Sequence, residues 1–259
     1  VFQQDAAGSK HRKGYDGRGH ATSATTTLDG DSQFSQQMAF NGVNELAGEV
    51  LADENQSYPV VYPTDNLGRS AGKVIDPKTA ANPNACNLVT QQTLDSEGYA
   101  RETVNARNKK SWRVFDSAGN LRFDISAMGI VREFQYDAMH KIYECLHSLP
   151  IGVATLSAST TPDAVQALLT PLKGDLLEEK YQFYNDDGEL CYEVTGLGIV
   201  TEKRYNACGK ETGLYQYADQ IDVATLTKGD ITTVSPNPQS GQDRFTQEIY
   251  NKANNKVRY

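Results

Sequence analysis

Histidine and cysteine side chains are the groups in this chain that could act as metal ligands or nucleophiles. The chain has four of each: His11, His20, His140, His147, Cys86, Cys145, Cys191 and Cys208. The histidines are too few and too widely separated to indicate a metal site, and the cysteines follow no metal-binding spacing. Cys145 and His147 are too close in sequence on one strand for a nucleophile and its base. We therefore predict no metal site and no catalytic residues. The cysteines are predicted to be free, packed thiols, with disulfides as the alternative.

Acidic and glycine-containing motifs in this chain are typical of turns. Asp29-Gly-Asp31 and Asp186-Asp-Gly188 could attract calcium, but neither continues into a loop of regularly spaced oxygen ligands. Gly17-Arg-Gly19 and Gly196-Leu-Gly198 do not lie between a buried strand and a helix, as a dinucleotide site requires. No Gly-x-Ser-x-Gly motif occurs. We predict no cofactor and no enzymatic activity.

The bulk composition excludes two classes of partner. The formal net charge is -8, and the basic residues are scattered, with the densest groups at positions 10–13 and 109–110. Nucleic acid is therefore not an expected partner. No run of eighteen apolar residues occurs, and we therefore predict no membrane insertion by this segment. With 38% hydrophobic residues, the chain can still bury a core.

The chain repeats itself. Residues 112–123 return as residues 181–192, and Ile151-Gly-Val-Ala-Thr-Leu156 returns as Ile221-Asp-Val-Ala-Thr-Leu226. The positions that carry the repeat are paired as follows: Phe115 with Tyr184, Gly119 with Gly188, Phe123 with Tyr192, Gly129 with Gly198, Tyr136 with Tyr205, and Asp137 with Asn206. Looser copies lie upstream, for example at residues 15–19, 40–46 and 62–69. A further copy starts at Tyr250 and is cut off, so the chain is expected to be a piece of a longer protein.

Each repeat copy has the pattern of antiparallel strands joined by tight turns. Leu121, Phe123 and Ile125 alternate with polar residues, which is the period of a half-buried strand. The turn at residues 116–119 begins with Asp and ends with Gly, residues that suit a hairpin with a G1 bulge. The unit is therefore strand, turn, strand, turn, strand, and the predicted fold class is all-β.

One short segment has a helical pattern. Thr161 is a suitable N-cap, Pro162 suits the first helical position, and Val165, Leu168 and Leu169 share one face. The predicted organisation is diverged repeats and loops at 1–93, a repeat unit at 94–156, a helical insert at 157–180, a second unit at 181–226, a loop at 227–248 and a truncated repeat at 249–259.

These motifs resemble the YD-repeat or Rhs-repeat family. Tyr136-Asp-Ala-Met-His-Lys141 and Tyr205-Asn-Ala-Cys-Gly-Lys210 lie where that family usually has Tyr-Asp-Ala-Leu-Gly-Arg, and residues 62–69 end in Leu-Gly-Arg. The resemblance is specific over residues 94–217. It departs from the family at His140, which replaces the turn glycine.

The resemblance implies a structural function. Members of this family include Rhs toxins, the B and C subunits of Tc insecticidal toxins, and teneurins. Their repeats imply a ribbon of antiparallel hairpins that winds into a spiral and closes as a hollow shell, often around a toxic C-terminal domain. The expected partners are then the rest of the same shell or a neighbouring YD-repeat chain, and an encapsulated toxin domain. The expected location is secreted or at the cell surface.

A second function of a different class remains open. Exposed aromatic residues among polar neighbours, such as Tyr215 and Tyr217, could bind carbohydrate. The same ribbon would then serve as a cell-surface adhesion or carbohydrate-binding module. Flanking sequence would separate the two, since wall anchors or lectin modules favour adhesion and a distinct domain after the array favours encapsulation.

Overall fold

The computed structural model of the protein is an all-β structure in two compact units, Val1–Ser111 and Trp112–Tyr259. It describes residues 2–4, 9–28, 32–53, 56–78, 84–172, 176–238, 241–247, 249–250 and 256–257. The predicted all-β class, with antiparallel hairpins and one short helix, is confirmed. The predicted boundary between residues 93 and 94 does not coincide with the division between the units. The turn pattern continues through residues 95–109 without a break, so sequence drift did not mark the structural boundary.

The first unit is a meander of antiparallel strands, each hydrogen-bonded to the next along the chain. The strands are β1 Phe2–Gln4, β2 Lys10–Tyr15, β3 Ala21–Thr27, β4 Gln33–Phe40, β5 Leu46–Ala52, β6 Ser57–Val61, β7 Gly72–Ile75, β8 Leu88–Leu94 and β9 Ala100–Val104. Most of their side chains are half-buried or exposed; Val60 and Ala85 are the buried apolar residues in the described part of this unit.

The second unit continues the same order with longer connections. Its elements are β10 Lys110–Phe115, β11 Leu121–Ile125, β12 Val131–Tyr136, β13 Lys141–His147, α1 Pro162–Leu169, β14 Leu176–Tyr184, β15 Leu190–Thr195, β16 Val200–Tyr205, β17 Glu211–Gln216 and β18 Arg244–Gln247. The first two residues of β10 precede the division between the units at Trp112. Each strand from β10 to β18 pairs antiparallel with the next. Two short strands, β19 Ile249–Tyr250 and β20 Lys256–Val257, pair antiparallel in a separate sheet.

One hairpin turn recurs throughout both units. At residues 116–120, Asp116 N–H donates to Asn120 O over 2.9 Å and Gly119 N–H donates to Asp116 O over 3.1 Å. The carboxylate of Asp116 accepts two further backbone N–H groups, and Gly119 has a φ of 86°, which favours glycine. The same backbone pair closes the turns at 16–20, 41–45, 65–69, 95–99, 105–109, 126–130, 185–189, 195–199 and 206–210. The turns predicted from the repeat, including the drifted upstream copies, are confirmed.

The turn at Asp137 is tighter than the others. Asp137 N–H donates to His140 O over 3.0 Å, so the hairpin closes one residue earlier. This geometry requires no positive φ at the fourth position, which explains how His140 replaces the glycine there. The His140 ring instead stacks on Tyr184 with 4.2 Å between ring centroids.

Two insertions cover one face of the sheet in the second unit. The first insertion, described over residues 148–172, contains α1 and packs Ile151, Leu156, Val165 and Leu169 against Trp112, Val114, Phe123, Ile125 and Val131. The second insertion, described over residues 217–238, places Tyr217 and Val234 against Tyr143, Cys145, Tyr181, Phe183, Val194 and Val200. Full burial of a side chain such as Phe123 contributes about 1.5 to 3 kcal/mol. The described core of this unit therefore lies between the sheet and the two insertions.

The insertions differ from the sequence-based prediction in extent and structure. Among the described residues of the helical insert predicted at 157–180, the α-helix covers Pro162–Leu169, and Leu176–Tyr184 form a strand that pairs with β13 and β15. The loop predicted at 227–248 contains a 3-10 turn at Ile231–Thr233 and strand β18. Most of the further repeat predicted at 249–259 lies outside the described residues, as does the Asp29–Asp31 motif.

Candidate functional site

The predicted repeat positions occupy three structurally distinct places. Eight of them lie at one edge of the sheet, in or beside hairpin turns: Phe115, Gly119, Tyr136, Asp137, Tyr184, Gly188, Tyr205 and Asn206. Phe123 and Tyr192 lie on the face covered by the insertions. Gly129 and Gly198 lie in the turns at the opposite edge. The repeat therefore encodes a turn edge, a buried face and an anchor for the insertions.

Neighbouring turns along the edge contact one another. In the first unit, Arg69 forms an ion pair with Asp65 in its own turn and donates to the backbone oxygens of Asp95 and Ser96 in the turn at 95–99. In the second unit, Tyr184 OH donates to Lys141 O over 3.3 Å. In each unit, such a contact thus connects the ends of two hairpins at this edge.

Glycines anchor both insertions in the same way. Ile151 N–H donates to Gly129 O over 2.8 Å, and Ile221 N–H donates to Gly198 O over 2.9 Å. Each glycine has a positive φ, and an added Cβ would lie 2.2 Å from Ile151 O or 2.0 Å from Ile221 O. Residues 151–156 and 221–226, which are similar in sequence, therefore also occupy equivalent positions and form equivalent hydrogen bonds.

A polar cluster lies on the covered face where β12 and β13 pair. Glu133 lies opposite Cys145 in the register, and both are buried, with exposed fractions of 7% and 2%. His147 follows two residues later on the same face, with its Nε2 3.1 Å from Glu133 Oε2 and 3.7 Å from Cys145 Sγ. The three ligand atoms lie within 4.8 Å of one another. Because the atoms converge, these residues could together hold a metal ion.

Gln135, Lys228 and Tyr143 extend the polar contacts of this cluster. Gln135 donates to Glu133 Oε1 over 2.9 Å, and Lys228 from the second insertion donates to Gln135 Oε1 over 3.1 Å. The Lys228 ammonium also lies 3.3 Å from the centroid of the Tyr143 ring. Tyr143 in turn donates to Glu179 over 2.7 Å. Hydrogen bonds through Gln135 thus connect the cluster to the insertion, and the contact between Lys228 and Tyr143 continues to Glu179 of β14.

Burial shifts the pKa values of Cys145 and Lys228. Burial raises the pKa of the Cys145 thiol to about 11, and the neighbouring Glu133 carboxylate adds to this, so the thiol is protonated at neutral pH. Burial also lowers the pKa of Lys228, although Glu133 and Glu179 act in the opposite direction. The resting cluster therefore contains a neutral sulfur among carboxylates, with a partly desolvated ammonium at its rim.

The second repeat copy fills the same positions with different groups. Glu202 is the repeat equivalent of Glu133 and lies opposite Tyr215, as Glu133 lies opposite Cys145. Tyr217 takes the place of His147, and its hydroxyl donates to the Glu202 carboxylate. Arg204 Nε donates to the same carboxylate over 2.5 Å. This copy has no thiol or imidazole at these positions and forms a hydrogen-bonded ion pair instead.

Tyr215 and Tyr217, on which the carbohydrate-binding alternative was based, are both covered by other side chains. Tyr217 was expected to be an exposed aromatic residue, but only 8% of its surface is accessible, because the second insertion packs it into the core. Tyr215 stacks on Phe245 with 4.1 Å between ring centroids, and the Arg204 guanidinium lies 4.1 Å from its ring centroid. Neither ring presents a free face as a sugar platform requires.

The cysteines follow the prediction only in part. All four are free thiols, but Cys86 and Cys208 are exposed and Cys191 is half-buried, so the prediction of packed thiols holds fully for Cys145 alone. The partner that the sequence analysis missed is Glu133, twelve residues before Cys145. The alternating pattern of β12 and β13 could have placed it on the same face, but only the register brings it opposite Cys145.

Solved structures similar to this chain come from Tc toxin complexes. Crystal structures of TcdB2-TccC3-Cdc42 and of TcdB2-TccC3 without the hypervariable C-terminal region match 99% of this chain at 10% identity, with TM-scores of 0.45 and 0.46. The structure of the Photorhabdus luminescens Tc holotoxin pore also matches 99% of this chain, at 10% identity and with a TM-score of 0.45. This chain spans 14% of the length of each of those chains.

The other comparisons give no match. No protein-family model matches the chain, and no curated protein does. Similarity at the level of the solved structures establishes no family membership. Within the described residues, no helix has the length and apolar character needed to cross a membrane.

Proposed function

We propose that this chain is a non-enzymatic wall segment of a large secreted YD/Rhs-repeat protein that forms a hollow β-shell. The observation that carries this proposal is the recurrence of one hairpin turn, with the same two backbone hydrogen bonds, from residues 16–20 to residues 206–210. Within each unit, the strands from β1 to β9 and from β10 to β18 each pair with the next along the chain, and a meander of this kind extends by adding hairpins. Closure into a shell is the surest way for such a ribbon to remove its exposed strand edges.

The contacts between successive turns support the same function. Arg69 holds the turn at 65–69 to the turn at 95–99, and Tyr184 links its strand to the backbone of Lys141. Such contacts stiffen a ribbon along the direction in which it grows. A wall needs this stiffness, whereas an isolated binding module does not. Encapsulation of a toxic C-terminal domain is the finer part of this proposal and rests on the resemblance of the repeats to Rhs and Tc toxins.

The test is electron microscopy of the intact protein that contains this segment. We expect class averages of a closed hollow particle with density inside, and a map in which antiparallel strands of the second unit fit the wall. A solid or elongated particle would contradict encapsulation. Binding of the purified protein on a glycan array, lost on substitution of surface aromatic residues such as Tyr58, would instead favour the adhesion alternative.

A further inference from the structure

The cluster of Glu133, Cys145 and His147 has the ligand types of a zinc site. Thiolate, imidazole and carboxylate groups all bind zinc, at roughly 2.0 to 2.3 Å. Ligands at a tetrahedral angle around one ion are then separated by about 3.3 to 3.6 Å. The observed separations from His147 Nε2 are 3.1 Å to the Glu133 oxygen and 3.7 Å to the Cys145 sulfur. These two separations are within a few tenths of an ångström of the tetrahedral values, and all three ligand atoms lie within 4.8 Å of one another. Side-chain adjustment would therefore let a single ion contact all three atoms.

The position of the cluster also suits metal binding. The ligands come from the paired strands β12 and β13, which are rigid elements compared with loops. Gln135 donates to the Glu133 oxygen that does not face His147, and a hydrogen bond of this kind orients a ligating carboxylate. The cluster lies on the face covered by the second insertion, so the groups are shielded while His147 remains half-buried.

The second repeat copy shows which neighbours are sufficient when the buried carboxylate has only a structural role. There, Tyr217 satisfies the Glu202 carboxylate with one hydroxyl, and Arg204 supplies the charge. A buried carboxylate in this repeat thus needs only a donor and a cation. In the first copy, Gln135 donates to the Glu133 carboxylate and the Arg122 guanidinium lies 4.0 Å from it, so a donor and a cation are already present. The thiol and the imidazole beside this carboxylate are additional groups, and both can ligate a metal.

We propose that Glu133, Cys145 and His147 bind one Zn²⁺ ion, with water as the fourth ligand. On binding, the S–H bond of Cys145 breaks, the thiolate sulfur donates its electron pair to the metal, and the proton leaves to solvent. The ion supplies the positive charge that balances Glu133 and the thiolate. This inference does not depend on the proposed shell function.

Cobalt titration of the full chain tests the site. After treatment with a chelator, Co²⁺ is added to the wild type and a thiolate-to-cobalt charge-transfer band is followed. We expect one equivalent of Co²⁺ to produce the band, excess Zn²⁺ to remove it, and Zn²⁺ to raise the thermal midpoint of the wild type. Absence of the band and of the thermal shift would overturn the proposal.

Matched variants assign the ligands. Cys145→Ser should abolish the band, and Cys208→Ser, at an exposed thiol, should leave it unchanged. Glu133→Gln and His147→Gln should each weaken binding by at least about tenfold, and Glu202→Gln, at the equivalent position of the second copy, should not. A band that persists in Cys145→Ser or disappears in Cys208→Ser would refute the assignment. Circular dichroism controls for folding, and Cys145→Val serves as the second variant if Cys145→Ser does not fold.

Discussion

At the scale of single residues, one buried carboxylate position is used in two ways. In the second repeat copy, Glu202 accepts hydrogen bonds from Arg204 and Tyr217. Burial raises the pKa of Glu202, but these two hydrogen bonds outweigh it, and the pKa lies below its usual value. In the first copy, the equivalent Glu133 faces a thiol and an imidazole. The repeat thus fixes where a buried carboxylate lies, and its neighbours decide what it does.

Substitution of Tyr217 by Phe tests the electrostatic role of Glu202. A carboxyl whose folded pKa is depressed stabilises the protein above its unfolded pKa, near 4.5, and this stability is lost as pH falls through the folded pKa. Loss of the hydroxyl should cost about 1.5 to 3 kcal/mol at pH 7 and should flatten the fall in stability on acidification. The measurement is urea unfolding between pH 7 and pH 3. Tyr15→Phe, at an exposed position, is the control; equal effects of both variants would contradict this role.

At the scale of elements, a hydrogen bond to a glycine carbonyl fixes where each insertion meets the sheet. The insertions themselves differ: one contains α1 and the other contains two 3-10 turns, at Val223–Thr225 and Ile231–Thr233. Ile151 in the first insertion and Ile221 in the second nevertheless donate to Gly129 and Gly198 in the same way. The anchor is therefore part of the repeat, whereas the remainder of each insertion is not.

Alanine substitutions test this anchor. Gly129→Ala and Gly198→Ala should each lower the free energy of unfolding by about 2 kcal/mol or more, because of the positive φ and the clash with the isoleucine carbonyl. Gly152→Ala is the matched control, since an added Cβ there meets nothing within 4 Å. The measurement is the denaturant midpoint of each variant. The anchor would be refuted if Gly129→Ala and Gly152→Ala unfolded at the same midpoint.

The sequence predicted the strands and turns better than the insertions and the polar cluster. Strands such as β11 follow from the alternation of Leu121, Phe123 and Ile125, and the turns follow from an initial Asp or Asn with Gly three residues later. Leu176 was placed in a helix because only its pairing with β13, across a long connection, makes it part of a strand. The cluster depends on the register between strands, and Lys228 reaches it from an insertion that showed no periodic pattern.

At the scale of the whole molecule, the two units differ in how much core they bury. The described part of the second unit has two clusters of buried side chains beneath its insertions, whereas Val60 and Ala85 are the buried apolar residues described in the first. Backbone hydrogen bonds in a sheet with a half-exposed face open more easily.

Hydrogen exchange should therefore separate the two units. We expect amides of β10 to β17 to exchange at least about tenfold more slowly than those of β2 to β8, since buried apolar contacts set the free energy of local opening. Exchange of the full chain, followed by mass spectrometry of peptides, provides the measurement. Equal protection in both units would show that burial does not govern their stability.

The anchoring of the insertions has a further consequence for how such a chain can change. The hydrogen bonds at Gly129 and Gly198 lie upstream of the segments that differ, so the length and content of each insertion are independent of the strand register. Tolerated insertions concentrate at sites of this kind, where the flanking backbone is already satisfied. Each anchor is thus an attachment point at which a foreign peptide or a small domain could replace an insertion, provided that it restores apolar cover over the strands.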